Sequence, residues 1–302
     1  MDAPEPADLA IVIVSYNTKA LLRACLRALP AACAGLDWHA TVVDNASTDG
    51  SPEMVAAEFP QVELVRSSEN LGFARANNLA LRRARARHLL LLNPDTEAEA
   101  GSLARLVEFL DDNPDAGACG PKLLNTDGSL QRNGARFPTL LREFLGVTGL
   151  RRLAMRRCEM ALGYGREDFD VLCEVDQLSG ACLMVRAAAA EQVGLLDERF
   201  FMFYEEVEWC HRIKRAGWRI WYVPGARVVH HWMGSVRQES RAMTAALFRS
   251  QLLYYQKTGG PLHALAARGI MWMGLAKNRL IHAGVAAKRL LRRARLLPEA
   301  RP

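Results

Sequence analysis

The chain has 302 residues, half of them apolar, with 24% charged residues and a net charge of +6. That is enough material for one large core with an appendage, and it excludes intrinsic disorder. No run of about twenty apolar residues occurs, so a membrane-spanning helix is not expected, and the opening MDAPEPADLAIVIV does not read as a secretory signal.

Seven cysteines, Cys25, Cys33, Cys119, Cys158, Cys173, Cys182 and Cys210, make an odd number with no CxxC pair. The pattern argues against a zinc ribbon or a disulfide framework and for buried free thiols in a reducing cytosol. The charge is unevenly spread. Residues 240–298 hold eleven Lys or Arg and no Asp or Glu, whereas the first 239 residues hold 27 basic and 32 acidic side chains. The basic excess therefore belongs to the C-terminal tail.

Leu9-Ala10-Ile11-Val12-Ile13-Val14 is a continuous apolar run rich in β-branched residues, the pattern of a strand buried on both faces. Ser15-Tyr16-Asn17-Thr18 follows, then a helical pattern to about residue 29. Thr41-Val42-Val43 predicts a second strand ending at Asp44, and residues 45–50 are turn chemistry that opens a helix. A third strand is predicted at 62–65, a helix at 72–85, and a fourth strand at 88–92 that ends at Asn93-Pro94-Asp95. Residues 99–112 suit a helix and 116–124 a strand. Residues 127–172 show no clear period and read as loops and short elements over the site. Residues 175–185 read as a strand pair bent at Ser179-Gly180, 205–216 as a helix and 218–223 as a strand.

Strand and helix alternate through this stretch, which implies a mostly parallel α/β sheet with helices on both faces. Polar residues just beyond the C-terminal ends of the strands gather at one edge, where such sheets bind ligands. Here they are Ser15, Tyr16, Asn17, Asp44, Asn45 and Asp95. A carboxylate at Asp95 could hold Mg²⁺ or Mn²⁺ against a diphosphate, although Asn-Pro-Asp also suits a turn or helix cap. Asp44 could accept from a base or ribose, or close an Asx turn with Asn45 and Ser47. In Phe203-Tyr204-Glu205-Glu206-Val207-Glu208-Trp209, Glu205 and Glu208 share a helix face while Glu206 points elsewhere. A carboxylate against apolar rings suits a general base; an acidic helix N-terminus is the structural alternative. One of His230-His231 could complete a metal site, or both could be structural.

The segments VIVSYN (12–17), VVDNASTDGS (42–51), NLGFARANN (70–78), LLLLNPDT (89–96), LSGACLMVR (178–186), DERFFMFYEEVEWCHRIKRAGW (197–218) and VVHHWMGS (228–235) together resemble family 2 glycosyltransferases, most of all the branch that includes rhamnosyltransferases of bacterial cell-surface polysaccharide assembly. The resemblance covers about residues 9–240. It implies the GT-A fold, a Rossmann-like nucleotide-diphospho-sugar transferase architecture, with a helical region after it. It also implies residue roles. The Ser15-Tyr16 turn and Asp44 would hold base and ribose, and Asn70, Arg75 and Asn78 would lie along the nucleotide side. Asn93-Pro94-Asp95 stands where the family often has Asp-x-Asp, with Asp95 as metal ligand. Glu206 matches the family's base, the second residue of an acidic pair that is more often Glu-Asp. Either His230 or His231 matches a second metal ligand. The implied reaction is a single in-line displacement with inversion, from a nucleoside diphosphate sugar to a saccharide or lipid-linked saccharide, with Ser179-Gly180-Ala181 lining the acceptor side.

The expected organisation is a GT-A domain over 1–240 and a basic amphipathic helical region over 241–302. In the latter, Leu262, Leu265, Ile270, Trp272, Met273, Leu275, Leu280, Ile281, Leu290 and Leu291 interleave with Arg268, Lys277, Arg279, Lys288, Arg289, Arg292 and Arg293. Such helices could lie on an anionic membrane surface or cap the catalytic domain; no nucleic-acid motif accompanies them. The localisation this implies is cytoplasmic, and the tail adds a peripheral position on the inner face of the cytoplasmic membrane. Two other readings are weighed. A nucleotidyltransferase would carry a Gly-rich basic phosphate loop after the first strand, which SYNTKA lacks. A catalytically inactive scaffold is disfavoured because the acidic and histidine positions are filled.

Overall fold

The N-terminal apolar run is a strand because both of its faces are buried. In β1 (Ala7–Ser15), Leu9, Ile11 and Ile13 enter one hydrophobic cluster, while Ala10 and Val12 enter a second on the opposite face, as the two-residue period of a strand requires. This computed structural model describes residues 5–150, 169–231 and 240–294. Contacts divide the chain into two units, Met1–Phe137 with Gly165–Gln251, and Pro138–Tyr164 with Leu252–Pro302.

The first unit is built on one sheet. β1 pairs in parallel with β2 (Trp38–Asp44) and with β4 (Ala86–Leu92), and β3 (Glu63–Arg66) lies parallel outside β2. Beyond β4 comes β9 (Cys182–Arg186), antiparallel to β4 and to β6 (Ala116–Leu124). β10 (Arg219–His230) then runs parallel to β6, and β5 (Thr96–Ala98) closes the edge antiparallel to β10. The order is β3-β2-β1-β4-β9-β6-β10-β5, with β7 (Leu130–Gln131) on β6 and β8 (Cys173–Glu174) on β10. This is the GT-A arrangement.

Helices cover both faces. α1 (Lys19–Ala32) buries Leu22, Cys25, Leu26, Leu29 and Ala32, the spacing of one helical stripe. With α2 (Ser51–Glu58) and α4 (Ser102–Asp112) it packs on the odd-numbered side of β1. α3 (Gly72–Leu81), α6 (Ala187–Val193) and α7 (Glu205–Arg215) pack on the other. β4 and β9 repeat the division: Leu90, Leu92, Cys182 and Met184 face one cluster, Leu89, Leu91, Leu183 and Val185 the other. Cys25, Cys33, Cys119, Cys182 and Cys210 are buried free thiols and Cys173 is half-buried; Cys158 lies outside the described residues.

Three sequence expectations change. The 175–185 strand pair is a single strand beginning at Cys182. Before it the backbone is tied elsewhere: Val175 N donates to Ile220 O, Asp176 N and Gln177 N to Ala135 O, and Ser179 N to Asn133 Oδ1. α3 stops at Leu81 rather than running to 85. The strand expected at 218–223 continues to His230, passing Pro224-Gly225 by a register shift between Val223 and Arg227, a bulge that lets the proline avoid the ladder.

The second unit holds α5 (Leu140–Thr148) and the greater part of α8 (Ser240–Ala294), a helical run interrupted at Gly260, φ 79°, before Pro261. Tyr255 Oη donates to Glu143 Oε1 at 3.4 Å and Lys277 Nζ to Val147 O at 2.7 Å, joining α8 to α5. Among the described residues no helix is long and apolar enough to cross a membrane. The side chains of Leu280, Ile281, Lys288, Arg289, Leu290, Leu291, Arg292 and Arg293 lie outside the described set, as do Trp232 to Ser235.

Candidate active site

Parallel pairing aligns the ends of β1 and β2 so that Ser15 stands opposite Asp44. Ser15 Oγ bonds Thr18 Oγ1 at 3.0 Å and holds the turn. Tyr16 is half-buried beside it. Asn17, with φ 53°, clamps the next loop: its N–H donates to Ser47 Oγ and its Oδ1 accepts from Thr48 N. Asp44 is buried; Oδ2 accepts from Ser47 N at 3.0 Å, while Oδ1 is buried without a partner among the described residues. An acceptor left open at a strand end is suited to a ligand hydroxyl or N–H.

Asn45 performs a different task. Its Nδ2 donates to Asn70 Oδ1 at 2.9 Å and to Gly72 O at 3.2 Å, and its Oδ1 accepts from Leu71 N at 2.8 Å. The side chain thereby fixes the loop that carries Asn70 and starts α3. Arg75 is exposed on that helix. Asn78, nearer its end, is buried and donates to Leu196 O and Glu198 Oε1. Asn45 and Asn70 thus meet at the ligand edge, whereas Asn78 secures the 196–198 segment.

The second group forms where β4 ends. Asn93 N donates to Ala181 O at 2.9 Å, and Thr96 Oγ1 to Asn93 O at 2.7 Å. The chain turns here into β5, whose pairing sets Thr96 opposite His230. Asp95 and His230 are both buried, with Asp95 Oδ1 at 3.3 Å from His230 Nε2 and Asn93 Nδ2 at 3.5 Å from the same nitrogen. His231 turns the other way and meets Glu97 Oε1 at 2.6 Å. This follows from strand geometry, since adjacent side chains point to opposite faces. Gln131 Oε1 lies 2.6 Å from His230 Nδ1.

The donor set suits a hard cation. Among the described residues no cluster of three or more metal-ligating side chains occurs, but Mg²⁺ or Mn²⁺ beside a diphosphate needs only one or two protein ligands. A carboxylate and an imidazole nitrogen in mutual reach, both buried at a strand end, fit that role.

The third group opens α7. Phe203 and Tyr204 have φ 69° and 67°, a left-handed conformation that non-glycine residues adopt at a cost. Glu205 and Glu208 are buried and Glu206 is half-buried. Glu208 pairs with Arg212 at 2.9 Å, and Arg212 donates to the carbonyls of Val193, Gly194 and Leu195; this is scaffolding. Oε2 of Glu206 is buried without a partner among the described residues, as is Oε2 of Glu205. Burial pushes the Glu206 carboxyl up to about 7, with backbone N–H bonds opposing the shift. Glu205 is driven well above the usual range by burial and by the charge of Glu206.

Residues 179–181 connect the last two groups. A Cβ on Gly180 would lie 3.4 Å from Phe73 Cζ and 3.7 Å from Glu206 Cβ, while Ala181 O accepts from Asn93 N. The backbone of this segment is held by buried Asn133, which accepts from Ser179 N at 2.9 Å and donates to Pro121 O at 2.7 Å. Asn133 and Gln131 were not singled out by sequence reasoning; both lie in the aperiodic stretch after β6, where no pattern marks them.

Residues 10–194 match glycosyl transferase family 2. An N-acetylglucosaminyl-diphospho-decaprenol L-rhamnosyltransferase of Mycobacterium tuberculosis is 31% identical over 258 residues, covering 82% of this chain and 83% of its own. The dTDP-rhamnosyl transferase RfbF of Shigella flexneri is 26% identical over 234 residues, 74% of this chain and 69% of its own. Among solved structures, mannosyltransferase PcManGT from Pyrobaculum calidifontis, in complex with GDP-Man and Mn²⁺, is similar with a TM-score of 0.56 at 18% identity, over 94% of this chain and 82% of its own. That last likeness is one of fold.

Proposed function

This chain belongs to glycosyl transferase family 2, with relatives named as rhamnosyltransferases, and from that premise we propose that it transfers a sugar from a nucleoside diphosphate to an acceptor hydroxyl, with inversion and with Mg²⁺ or Mn²⁺ held by Asp95 and His230. The observation that carries this reading is the 3.3 Å approach of Asp95 Oδ1 and His230 Nε2 at the end of β4. The unpartnered Oδ1 of Asp44 accepts from the base or ribose, with the Ser15-Tyr16-Asn17 turn and Asn70 beside it. Asn93 completes the diphosphate side.

Glu206 accepts the proton of the acceptor hydroxyl as that oxygen bonds the anomeric carbon and the diphosphate departs. A carboxyl near 7 is matched to this task at neutral pH, since it is ionised in a useful fraction yet basic enough to take the proton. The bound cation would supply electrostatic stabilisation to the leaving diphosphate. The relatives act as rhamnosyltransferases by name, and dTDP-rhamnose is the donor we assign here. The test is thermal stabilisation by UDP-, dTDP- and GDP-sugars with and without Mn²⁺. A rise confined to one donor and dependent on metal is expected. No shift across the panel would overturn the donor reading in favour of an inactive scaffold.

The acceptor is assigned as a lipid-linked saccharide because of the surface of α8. Leu262, Leu265, Trp272 and Met273 are exposed by 80, 66, 57 and 42%, and helical geometry sets them within about 100° of arc. Arg268 and Arg279 follow one edge of that stripe, and no acidic residue occurs in 240–298. An apolar stripe bordered by arginines is the composition of a helix lying in an anionic interface, which would station the enzyme at the inner face of the cytoplasmic membrane.

A further inference from the structure

Gln131 grips His230 at two points. Its Oε1 lies 2.6 Å from His230 Nδ1, and its Nε2 donates to the main-chain oxygen of the same residue at 3.3 Å. The direction of these bonds is set from the far end of a chain of side chains. Asp127 Oδ1, a carboxylate oxygen that can only accept, takes the Ser129 hydroxyl proton at 2.6 Å. With its proton spent, Ser129 Oγ accepts from Asn125 Nδ2 at 2.9 Å. Asn125 therefore presents Oδ1 to Gln131 Nε2, at 2.9 Å, and Gln131 presents Oε1 to the imidazole. Oε1 has no proton to give, so His230 Nδ1 must carry one.

We infer that the chain Asp127–Ser129–Asn125–Gln131 is a positioning device that holds His230 as the Nδ1–H tautomer and aims a bare Nε2 at Asp95. A ring nitrogen lone pair and a carboxylate oxygen 3.3 Å apart have no shared hydrogen in that state, and among the described residues only the Asn93 amide, at 3.5 Å, offers one. The pair is then a two-donor seat for a cation. The inference rests on the metal reading proposed above and adds to it the outer partner that metal-binding histidines require to fix ring and tautomer. Every member but His230 sits on the β6–β7 hairpin. Gln131 reaches His230 because β7 and β10 flank β6: the last pair of β10 with β6 sets Val229 opposite Leu124, and β7 sets Leu130 opposite that same residue.

The test uses the full-length chain with Mn²⁺ alone as probe, the free ion being counted by electron paramagnetic resonance, together with nitrogen-15 shifts of the His230 ring at pH 8. Wild-type protein is expected to show a protonated Nδ1 and a bare Nε2. Gln131→Leu is expected to lose that tautomer preference and to bind Mn²⁺ about 10–100-fold more weakly, as outer-partner losses do. Gln131→Glu, which keeps an acceptor for Nδ1–H, is expected to stay near wild type. Asn125→Ala removes the group that orients Gln131 while leaving Gln131 in place, and is expected to weaken binding in the same direction; it serves if Gln131→Leu fails to fold. His230→Ala separates the two claims. If it leaves Mn²⁺ affinity unchanged, the metal reading fails. If it weakens binding while Gln131→Leu and Asn125→Ala match wild type in affinity and tautomer, the metal reading survives and the positioning role is overturned. A wild-type ring protonated on both nitrogens at pH 8 also overturns it.

Discussion

A Cβ added to Gly72 would lie 2.3 Å from the main-chain oxygen of Phe201, the same oxygen that accepts from Phe73 N at 2.7 Å. Gly72 also has φ +77°, so it satisfies a close approach and a left-handed backbone at once. The contact docks the start of α3 onto the loop whose left-handed Phe203 and Tyr204 lead into Glu205-Glu206. Gly72→Ala is expected to lower unfolding free energy by about 2–4 kcal/mol, the range for a strained backbone plus a collision that backbone cannot relieve. Urea denaturation checks the loss, and the folded fraction is expected to show a lower kcat because the Glu206 loop must shift. A wild-type urea midpoint would mean that the two segments do not meet.

As the proposed base, Glu206 is expected to link pH to both turnover and stability. With its carboxyl raised from 4.5 to about 7, the acid limb of transfer is expected near pH 7, with rate rising as the group ionises. Stability runs the opposite way. The folded protein holds a proton that the unfolded chain releases near 4.5, so the contribution of this group is fully present below about 4.5 and is lost as pH rises through about 7. Glu206→Gln is therefore expected to abolish transfer, leave donor affinity nearly intact and raise Tm at pH 8, by order of 1 kcal/mol or about 1–2 °C in a chain of this size, with little change at pH 4.5. A variant with wild-type turnover would remove Glu206 from the base role, and a Tm gain equal at both pH values would show that its burial costs nothing in charge.

The two adjacent histidines are expected to separate cleanly. His231 meets Glu97 in a pair whose side chains are 27 and 44% exposed, an environment in which a pair contributes less than about 1 kcal/mol. His231→Ala is expected to keep Mn²⁺ affinity within about twofold, against a loss of tenfold or more for His230→Ala. Equal losses in the two variants, read by the same spin-resonance titration, would contradict the assignment to His230.

What is legible in the amino-acid sequence follows from how each element is stabilised. β1, β2 and β4 were legible because burial on both faces writes an unbroken apolar run. The polar residues at their ends were legible for the same reason, as the first hydrophilic positions after each run. β5 and β7, of three and two residues, carry no period of their own; they exist because β10 and β6 offer them partners. Yet β5 is what brings Asp95 to His230, and β7 is what brings Gln131 to the same ring. Which of His230 and His231 faces Asp95 is open in the sequence because it depends on the phase of β10 after its bulge between Val223 and Arg227. Pro224-Gly225 reads locally as a turn, and only the sheet carries the strand past it. The aromatic neighbours mark the carboxylates of 205–208 as a group, and only the family resemblance singles out Glu206 among them, whereas the commitment of Glu208 to Arg212 depends on carbonyls at 193–195 that no local pattern reveals.

The exposed stripe on α8 makes a quantitative expectation for membrane binding. Each arginine near an anionic surface contributes about 1 kcal/mol, so Arg268→Glu with Arg279→Glu should weaken binding to phosphatidylglycerol-containing vesicles by well over tenfold at low salt and flatten its salt dependence. Leu262→Ser with Leu265→Ser removes apolar contact instead, at about 0.8 kcal/mol per buried methylene, and should weaken binding while leaving the salt dependence in place. Both pairs are exposed on the helix, so wild-type Tm is expected in each. Vesicle co-sedimentation across a salt series distinguishes the two terms. Binding that neither pair reduces would mean that this stripe is not the surface that meets lipid, and equal transfer rates on water-soluble and vesicle-borne acceptors would separate the tail from the choice of acceptor.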